Sequence, residues 1–449
     1  MIGMTSGVWR VAIFVVAGLL VSCGPAKPPA KEETAPGKKT GSVIFFHIDG
    51  AGMAQWQMAR MLIAGPDGEI NWDRLPHVAV YRGHQEDTLT TSSNAAATAH
   101  AYGVKVPYEA YGTDGHSDQR PVAANGERRS IMEEAKARGL ATGLVNSGGV
   151  TEPGTACFVA SVQKRDDDGA EIAAQVAGSG TDVILLGGEE WFLPEGTSGR
   201  HGAGKRKDGR NIVEEAAAAG YKVVFTREEL AALPDDAGKV LGIFSNDDTF
   251  NDEPEEDLAK QGLPPYDPAA PTISEMTAAA LRFLSGRQFL LVVEEEGTDN
   301  FGNCNNAVGL AEALRRGDEG LGTALGYIEK HPDTLLVTFG DSEAGNPDVI
   351  GLRGSKWEAE MLAKARDPNG APLDGAVRGS DGSIEKPFTS QSDRSGKTHD
   401  FVVAWGTKMD SCGGILVRAA GMNSDKVRGS FDNTALYPLI HETLFGEAP

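Results

Sequence analysis

The sequence predicts one α/β domain built on a doubly wound, mainly parallel central sheet with helices on both faces. From Ser42 onward, short apolar runs alternate with segments of helical periodicity, as in chains that fold into parallel sheets with crossover helices. The apolar runs are almost continuously hydrophobic, which is typical of strands covered on both faces. The chain has 449 residues, of which 40% are hydrophobic and 24% charged, so it can bury a large core.

The individual elements follow from the same pattern. Buried strands are predicted where apolar residues run without a polar break, at Ser42–Ile48, Leu140–Val145, Asp182–Leu186, Phe289–Val293, Thr334–Phe339 and Phe401–Trp405. Helices are predicted where apolar residues recur with a period of 3.6, at Ile131–Arg138, Asn211–Ala218, Ile273–Leu284 and Val308–Ile328. In a sheet of this kind ligands bind beyond the carboxyl ends of the strands.

The first 22 residues have the pattern of a lipoprotein signal peptide. The apolar run Val11–Val21 follows Arg10 and is too short to cross a bilayer as a helix. The run closes on a cysteine in the sequence Leu-Val-Ser-Cys, which resembles the bacterial lipobox, so Cys23 is the predicted lipidation site. An ordinary secretory peptide with an incidental cysteine is the alternative.

Residues 23–41 are rich in proline, lysine and glutamate and show no periodicity, which predicts a flexible tether before a domain at 42–449. Acyl chains on Cys23 would hold that domain on a membrane outside the cytoplasm. Gly24 after the cysteine favours the outer membrane or periplasm.

Composition excludes two classes of protein. The chain has 64 acidic and 42 basic residues, a formal charge of −22, which argues against a nucleic-acid partner. Four cysteines are too few for a disulfide framework. Beyond Cys23, the cysteines Cys157, Cys304 and Cys412 allow at most one disulfide, and free thiols are equally compatible with the sequence.

Carboxylates follow three of the predicted strands directly. Asp49 follows the first strand, the acidic stretch Glu294–Asp299 begins directly after the fourth, and Asp341 follows the fifth. Carboxylates that converge at one edge of a sheet repel each other unless cations neutralise them, so this pattern predicts a site for divalent metal ions. Any one of these acids alone would be better explained as a helix cap or a solvated loop charge.

A run of small hydroxyl residues leads into an alanine-rich helix at Thr90–Ala99. A serine at a helix N-terminus lies where backbone N–H groups favour an anion. The commoner role of such a serine is to cap the helix. Near metal ions, however, a serine can also act as a nucleophile toward phosphorus.

Taken in order, these motifs resemble the alkaline phosphatase family from Ser42 to Phe445. The family's I-G-D-G-M-G-x-A-Q element aligns with His47–Gln55, and its nucleophile motif D-S-A-x-x-A-T-A with Ser92–Ala99. Four further segments match family motifs at compatible spacings: Tyr102–Lys105, Ala135–Val145, Asp182–Gly188 and Gly220–Leu230.

The resemblance implies a role for particular residues. Ser93 corresponds to the nucleophile that forms a phosphoseryl intermediate, and Arg165 to the arginine that binds the phosphate. An exposed arginine paired with Asp166–Asp168 is the alternative for Arg165. The implied metal positions, which in the family hold zinc and magnesium, are Asp49, Glu152, Glu294, Asp299, Asn303, Asp341 and Ser342.

The departures from the family concern its histidines. The three positions at which the family binds its zinc pair through imidazole hold Asn303, Ser342 and Ser395 here. His399 lies four residues further on and could substitute only with a shifted loop. Oxygen ligands suit magnesium, calcium or manganese better than zinc.

Two other departures lie near the implied phosphate and magnesium. Ser92 replaces the aspartate that orients the phosphate-binding arginine, and Gly154 replaces a hydroxyl residue beside the magnesium, although Thr155 is adjacent.

The expected function is hydrolysis of phosphate monoesters by Ser93 with divalent metal ions. A non-catalytic metal- or phosphate-binding lipoprotein of the same fold is the first alternative, and a phosphodiesterase or sulfatase-type relative is the second. A phosphate ester is the expected substrate, no nucleic acid is expected to bind, and a homodimer remains open.

Overall fold

The centre of the protein is a ten-stranded sheet, seen in a computed structural model that describes residues 39–354, 361–362, 364–375 and 387–449. The strands of the described part are β1 (Ser42–Ile48), β2 (His77–Arg82), β3 (Ala141–Asn146), β4 (Val183–Leu186), β5 (Lys222–Val224), β6 (Val240–Ile243), β7 (Phe289–Glu295), β8 (Thr334–Phe339), β9 (Glu343–Ala344), β10 (Pro347–Gly351), β11 (Phe388–Thr389), β12 (Asp400–Trp405), β13 (Asp410–Ser411), β14 (Leu416–Gly421) and β15 (Gly429–Asp432). The helices are α1 (Met53–Ile63), α2 (Ser93–Tyr102), α3 (Ile131–Ala137), α4 (Pro153–Ala156), α5 (Gly169–Gly178), α6 (Ile212–Ala218), α7 (Arg227–Ala232), α8 (Glu255–Gln261), α9 (Ile273–Leu284), α10 (Gly297–Asn303), α11 (Ala307–Ile328) and α12 (Leu436–Phe445).

The large sheet has the order β15-β2-β14-β8-β1-β7-β3-β4-β6-β5. Strand β14 runs antiparallel to both of its neighbours, while the other described pairings in this sheet are parallel. The predicted α/β class with a doubly wound, mainly parallel sheet is therefore confirmed.

Side chains of β1 alternate between two separate apolar cores, one on each face of the sheet. Val43 and Phe45 pack in the core formed with α2, α3, α5, α6 and α12. Ile44 and Phe46 pack in the core formed with α1, α9 and α11. Because the strand is buried on both faces, its sequence is apolar at almost every position.

Five of the predicted strands lie in the large sheet, and the predicted helices are present with ends that agree to within one residue. The predicted strand Phe401–Trp405 is also confirmed and forms most of β12, but it does not join that sheet. Instead β12 pairs antiparallel with β10 and β11 in a separate three-stranded sheet. An apolar run indicates a buried strand, but its pairing partners come from distant parts of the chain.

The predicted signal peptide and most of the predicted tether lie outside the described residues, and so does Cys23. Gly41, at the end of the tether, is already packed into the domain, where its amide donates to the Thr443 carbonyl over 2.8 Å. Within the described chain, no helix combines the length and apolar character needed to span a bilayer. Cys157, Cys304 and Cys412 are all free thiols.

Candidate active site and metal centre

Three neighbouring strands place Asn146, Glu294 and His47 side by side. The parallel pairing of β3 with β7 aligns Asn146 with Glu294, and the pairing of β7 with β1 aligns Glu294 with His47. One oxygen of Glu294 lies 2.9 Å from His47 Nδ1, and the other accepts a hydrogen bond from Asn146 Nδ2 over 2.5 Å. We call these three residues the histidine side of the site. Both carboxylate oxygens of Glu294 have partners within the protein.

The second nitrogen of His47 is directed at two carboxylates. Nε2 lies 3.5 Å from Asp49 Oδ1 and 3.7 Å from Asp341 Oδ1. His47 and Asp49 are two residues apart at the end of β1, which places both side chains on one face of the strand. The ring is fully buried, with its centroid 5.4 Å from that of Phe339 and 6.1 Å from that of His100. Burial lowers the pKa of His47, but the neighbouring carboxylates of Asp49, Asp341 and Glu294 outweigh this effect and raise the pKa well above its ordinary value.

A second group of oxygens lies across Asp49 from the histidine side. Asp299 and Asn303 are one turn apart on α10, and Asn303 Nδ2 donates to Asp299 over 3.1 Å and to Asp410 over 3.0 Å. Asp410 enters the site because β13 pairs with β9, which directly follows Ser342. We call Asp299, Asn303, Asp341, Ser342 and Asp410 the carboxylate side of the site.

Several buried oxygens in and beside this second group have no hydrogen-bond partner within the described residues. They are Asp49 Oδ2, Asp299 Oδ1, both carboxylate oxygens of Asp341 and Ser342 Oγ. A buried polar atom without a partner costs free energy unless a ligand satisfies it. The carboxylate side therefore fits divalent cations, which oxygen ligands bind well.

The pKa values reflect the same crowding of acids. Burial, and then the charge of Asp341, raises the pKa of Asp49 well above its usual range. Burial, and then Asp410, does the same to Asp299. For Asp341, burial acts against ionisation, but the interactions with Asp49 and His47 hold its pKa below the usual value. A bound cation would favour the ionised form of all three carboxylates.

Gly50 allows the loop after β1 to approach α10 closely. Its φ angle is +63°, and a Cβ atom there would lie 2.6 Å from Asp299 Oδ1 and 2.8 Å from Asp299 Cα. Any larger residue would therefore force Asp299 away from Asp49. The geometry of the site therefore requires a glycine directly after Asp49.

Arg165 forms an ion pair with Glu152. The ion pair expected under the alternative, with a residue of the Asp166–Asp168 run, is thus not the one that the described residues form. Burial lowers the pKa of Arg165, but Glu152 and Glu296 raise it above its ordinary value. Arg165 thus keeps an orienting carboxylate although Ser92 replaces the one expected from the family.

Ser93 is the first residue of α2 and is partly buried, at an N-terminus capped by its neighbour. The Ser92 hydroxyl accepts from the amide of Ala95 over 3.2 Å and donates to the Tyr108 carbonyl. Ser92 therefore performs the capping role, which leaves the hydroxyl of Ser93 for another. Helix α2 lies beside the histidine side, since His100 from its last turn packs against the ring of His47.

Ser395, at the third of the family's histidine positions, and the nearby His399 lie away from the site. Ser395 Oγ donates to Asp393 over 2.7 Å, and His399 Nε2 lies 2.9 Å from the other oxygen of the same carboxylate. The imidazole of His399 is 53% exposed in this loop. His399 is thus not placed among the carboxylates, and the described part of the chain shows no shifted loop that would carry it there.

Two residues of the site were missed at the sequence level. His47 aligns with an aliphatic position of the family motif, although the two-residue period of a strand already places its side chain beside that of Asp49. Asp410 gave no signal, because it reaches the site only through the two-residue ladder between β13 and β9.

Comparison with known proteins agrees with this architecture. Residues 40–444 match the model of the alkaline phosphatase family. The chain belongs to the alkaline phosphatase family. It is 28% identical to the streptomycin-6-phosphate phosphatase of Streptomyces griseus, with 97% of each chain covered. It is 29% identical to the repressible alkaline phosphatase of Saccharomyces cerevisiae over 73% of this chain, and it spans 59% of that protein.

Solved alkaline phosphatases share the fold. The enzyme of Thermus thermophilus superposes with a TM-score of 0.67 at 22% identity, covering 94% of this chain and 97% of the other. A cold-active alkaline phosphatase from Shewanella gives a TM-score of 0.67 at 24% identity, covering 90% and 99%. Membership of the family makes this chain a phosphatase-like hydrolase and implies divalent metal ions.

Proposed function

We propose that the protein hydrolyses phosphate monoesters through a phosphoseryl intermediate on Ser93, with divalent cations held on the carboxylate side. The observation that carries the proposal is the set of buried, unpartnered oxygens on Asp49, Asp299, Asp341 and Ser342. They lie at the carboxyl ends of parallel strands, where α/β sheets bind ligands. Cations bound there would supply Lewis-acid chemistry, neutralising charge on the phosphoryl group and favouring the ionised form of a nearby hydroxyl.

The residues of the chain account for the remaining steps. The oxygen of Ser93 attacks phosphorus and forms an O–P bond while the bond to the leaving alcohol breaks. Arg165 binds two phosphoryl oxygens through its guanidinium, a geometry that suits bidentate contact. Water then cleaves the bond between Ser93 and phosphorus, which releases phosphate and restores the hydroxyl. The N-terminus of α2 favours negative charge at this position throughout.

Substitution of Ser93 tests the proposal directly. We expect Ser93→Ala to abolish turnover of an aryl phosphate while the ion content of the purified protein stays unchanged. Ser92→Ala is the matched control, because it removes the adjacent cap at a cost of about 1 kcal/mol in stability and leaves the nucleophile. Mass spectrometry of acid-quenched protein should detect one phosphoryl group on Ser93 and none in the variant. Full turnover by Ser93→Ala would exclude this mechanism.

The alternatives from the sequence are separated by substrate and ion. Aryl monoester, diester and sulfate should be assayed in parallel, each with zinc, magnesium, calcium or manganese added separately. Monoester turnover above the other two substrates supports the proposal. Bound metal without turnover under any ion would instead favour the non-catalytic metal- or phosphate-binding protein.

For location, we propose the lipid anchor on Cys23 that the sequence indicates. Mass spectrometry of the mature N-terminus would show an acylated Cys23 as the first residue. An unmodified N-terminus or a cleavage site elsewhere would exclude it. Gel filtration of the detergent-solubilised protein would test the homodimer.

A further inference from the structure

The histidine side has the arrangement of a metal-binding imidazole whose other nitrogen is held by a carboxylate. His47 Nδ1 is at hydrogen-bond distance from Glu294, which in turn is held by Asn146. Histidines that bind metals usually donate from their second nitrogen to such a carboxylate, which fixes the orientation of the ring. The free nitrogen, Nε2, is buried and has no hydrogen-bond partner among the described residues. It is therefore available to a ligand.

The surroundings of Nε2 have the dimensions of a metal site. The nitrogen lies 3.5 Å from Asp49 Oδ1 and 3.7 Å from Asp341 Oδ1. Two ligand atoms bound to one tetrahedral ion at about 2.0–2.1 Å lie about 3.3 Å apart. The distances from Nε2 to the two oxygens are thus slightly longer than in an occupied site, and they are too long for good hydrogen bonds.

We propose that His47 is a metal ligand together with Asp49 and Asp341, and that Glu294 orients His47 rather than binding an ion itself. This inference rests on the metal dependence in the proposed function and goes beyond it. The family's three histidines are missing from this centre, and His47 would supply one imidazole in their place. Its ring lies next to Asp49 and Asp341, and Ser342, at one of the missing histidine positions, directly follows Asp341. The centre then contains nitrogen as well as oxygen, which makes zinc a suitable ion again.

Gly154 supports the same assignment. A Cβ atom at this position would collide with Glu294 Oε1 and lie 2.7 Å from His47 Nδ1. The hydroxyl residue that the family has here is therefore incompatible with the bond between His47 and Glu294. The adjacent hydroxyl of Thr155 does not replace it, because it accepts from Asn146 Nδ2 over 2.9 Å. The glycine at position 154 and the histidine at position 47 are therefore coupled, since the hydrogen bond between His47 and Glu294 requires the space that Gly154 leaves.

The magnesium position expected from the family does not fit this arrangement. Both oxygens of Glu294 have protein partners, Glu152 is paired with Arg165, and Gly154 offers no hydroxyl. Magnesium requires several oxygen ligands in near-octahedral geometry. The residues expected to hold it instead orient His47 and Arg165.

X-ray absorption of the zinc-loaded protein tests the proposal without using activity. We expect imidazole scattering in the zinc shell of the parent protein, its loss in His47→Ile, and its retention in His399→Ala. Isoleucine is the family's own residue at this position. Absence of imidazole from the parent shell, or its persistence in His47→Ile, would overturn the proposal.

Zinc affinity, measured by competition with a chromophoric chelator, adds a second readout. We expect the dissociation constant to rise on the order of 10–100-fold in Glu294→Gln, which keeps the size of the orienting residue. In His47→Ile the rise should be at least as large. Unchanged affinity in both variants would also overturn the proposal. Ser93→Ala should bind zinc normally, so failure of the serine mechanism is recognised separately from failure of the metal assignment.

Discussion

The two sides of the site solve the same electrostatic problem in different ways. On the histidine side, Glu294 is fully buried, yet each of its carboxylate oxygens has a partner within the protein. On the carboxylate side, Asp341 is buried almost as deeply, but neither of its oxygens has a hydrogen-bond partner in the described chain. Burial of a charge is tolerated only when it is paired or bound to an ion. The buried charge of Glu294 is therefore satisfied within the protein, whereas that of Asp341 requires cations.

The largest difference should appear when the carboxylate side loses a charge. We expect Asp341→Asn to lower kcat by on the order of 10³-fold, because cation contacts of this kind contribute several kcal/mol to the transition state. Ion content by mass spectrometry should fall by at least one equivalent. Asp393→Asn is the matched control, since Asp393 also faces a histidine but lies in an exposed loop. Equal effects of the two substitutions would contradict the role of the carboxylate side.

A smaller effect, on stability, should distinguish the two sides even without turnover. Ions at 100 times their dissociation constant should stabilise the folded protein by about 2.7 kcal/mol. After chelation, we expect Asp299→Asn to be more stable than the parent by about 1–2 kcal/mol, because it removes a buried charge that Asp410 repels.

Asn146→Ala provides the opposite case on the histidine side. It leaves an oxygen of Glu294 without a partner, so it should cost about 1–3 kcal/mol both with and without ions. Thermal denaturation of the parent and both variants, with and without chelator, measures these differences. A chelated Asp299→Asn that is less stable than the chelated parent would contradict the comparison.

What the sequence could predict follows the range of the interactions involved. The strand predicted at Phe289–Val293, observed as Phe289–Glu295, and the carboxylates at its end were recognisable because apolar runs and their ends are local features. The site depends on contacts that are not local: Glu294 meets His47 across 247 positions of the chain. Asp410 depends on a two-residue ladder. The alignment with the family identified the positions that lack a histidine. It gave no role to His47, because the family has no histidine at that position.

The smallest predicted effect concerns Glu152, which has two candidate roles. It either orients Arg165 or binds a metal ion. If it orients Arg165, as the ion pair indicates, Glu152→Gln should raise KM and the inhibition constant of phosphate about tenfold, equivalent to about 1.4 kcal/mol, with little change in kcat. The number of bound ions should not change. Asp166→Asn, beside Arg165 in sequence but not its partner, should leave both constants unaltered. Loss of an ion from Glu152→Gln at constant KM would assign Glu152 to the metal centre, because a carboxylate that only orients an arginine has no effect on ion content.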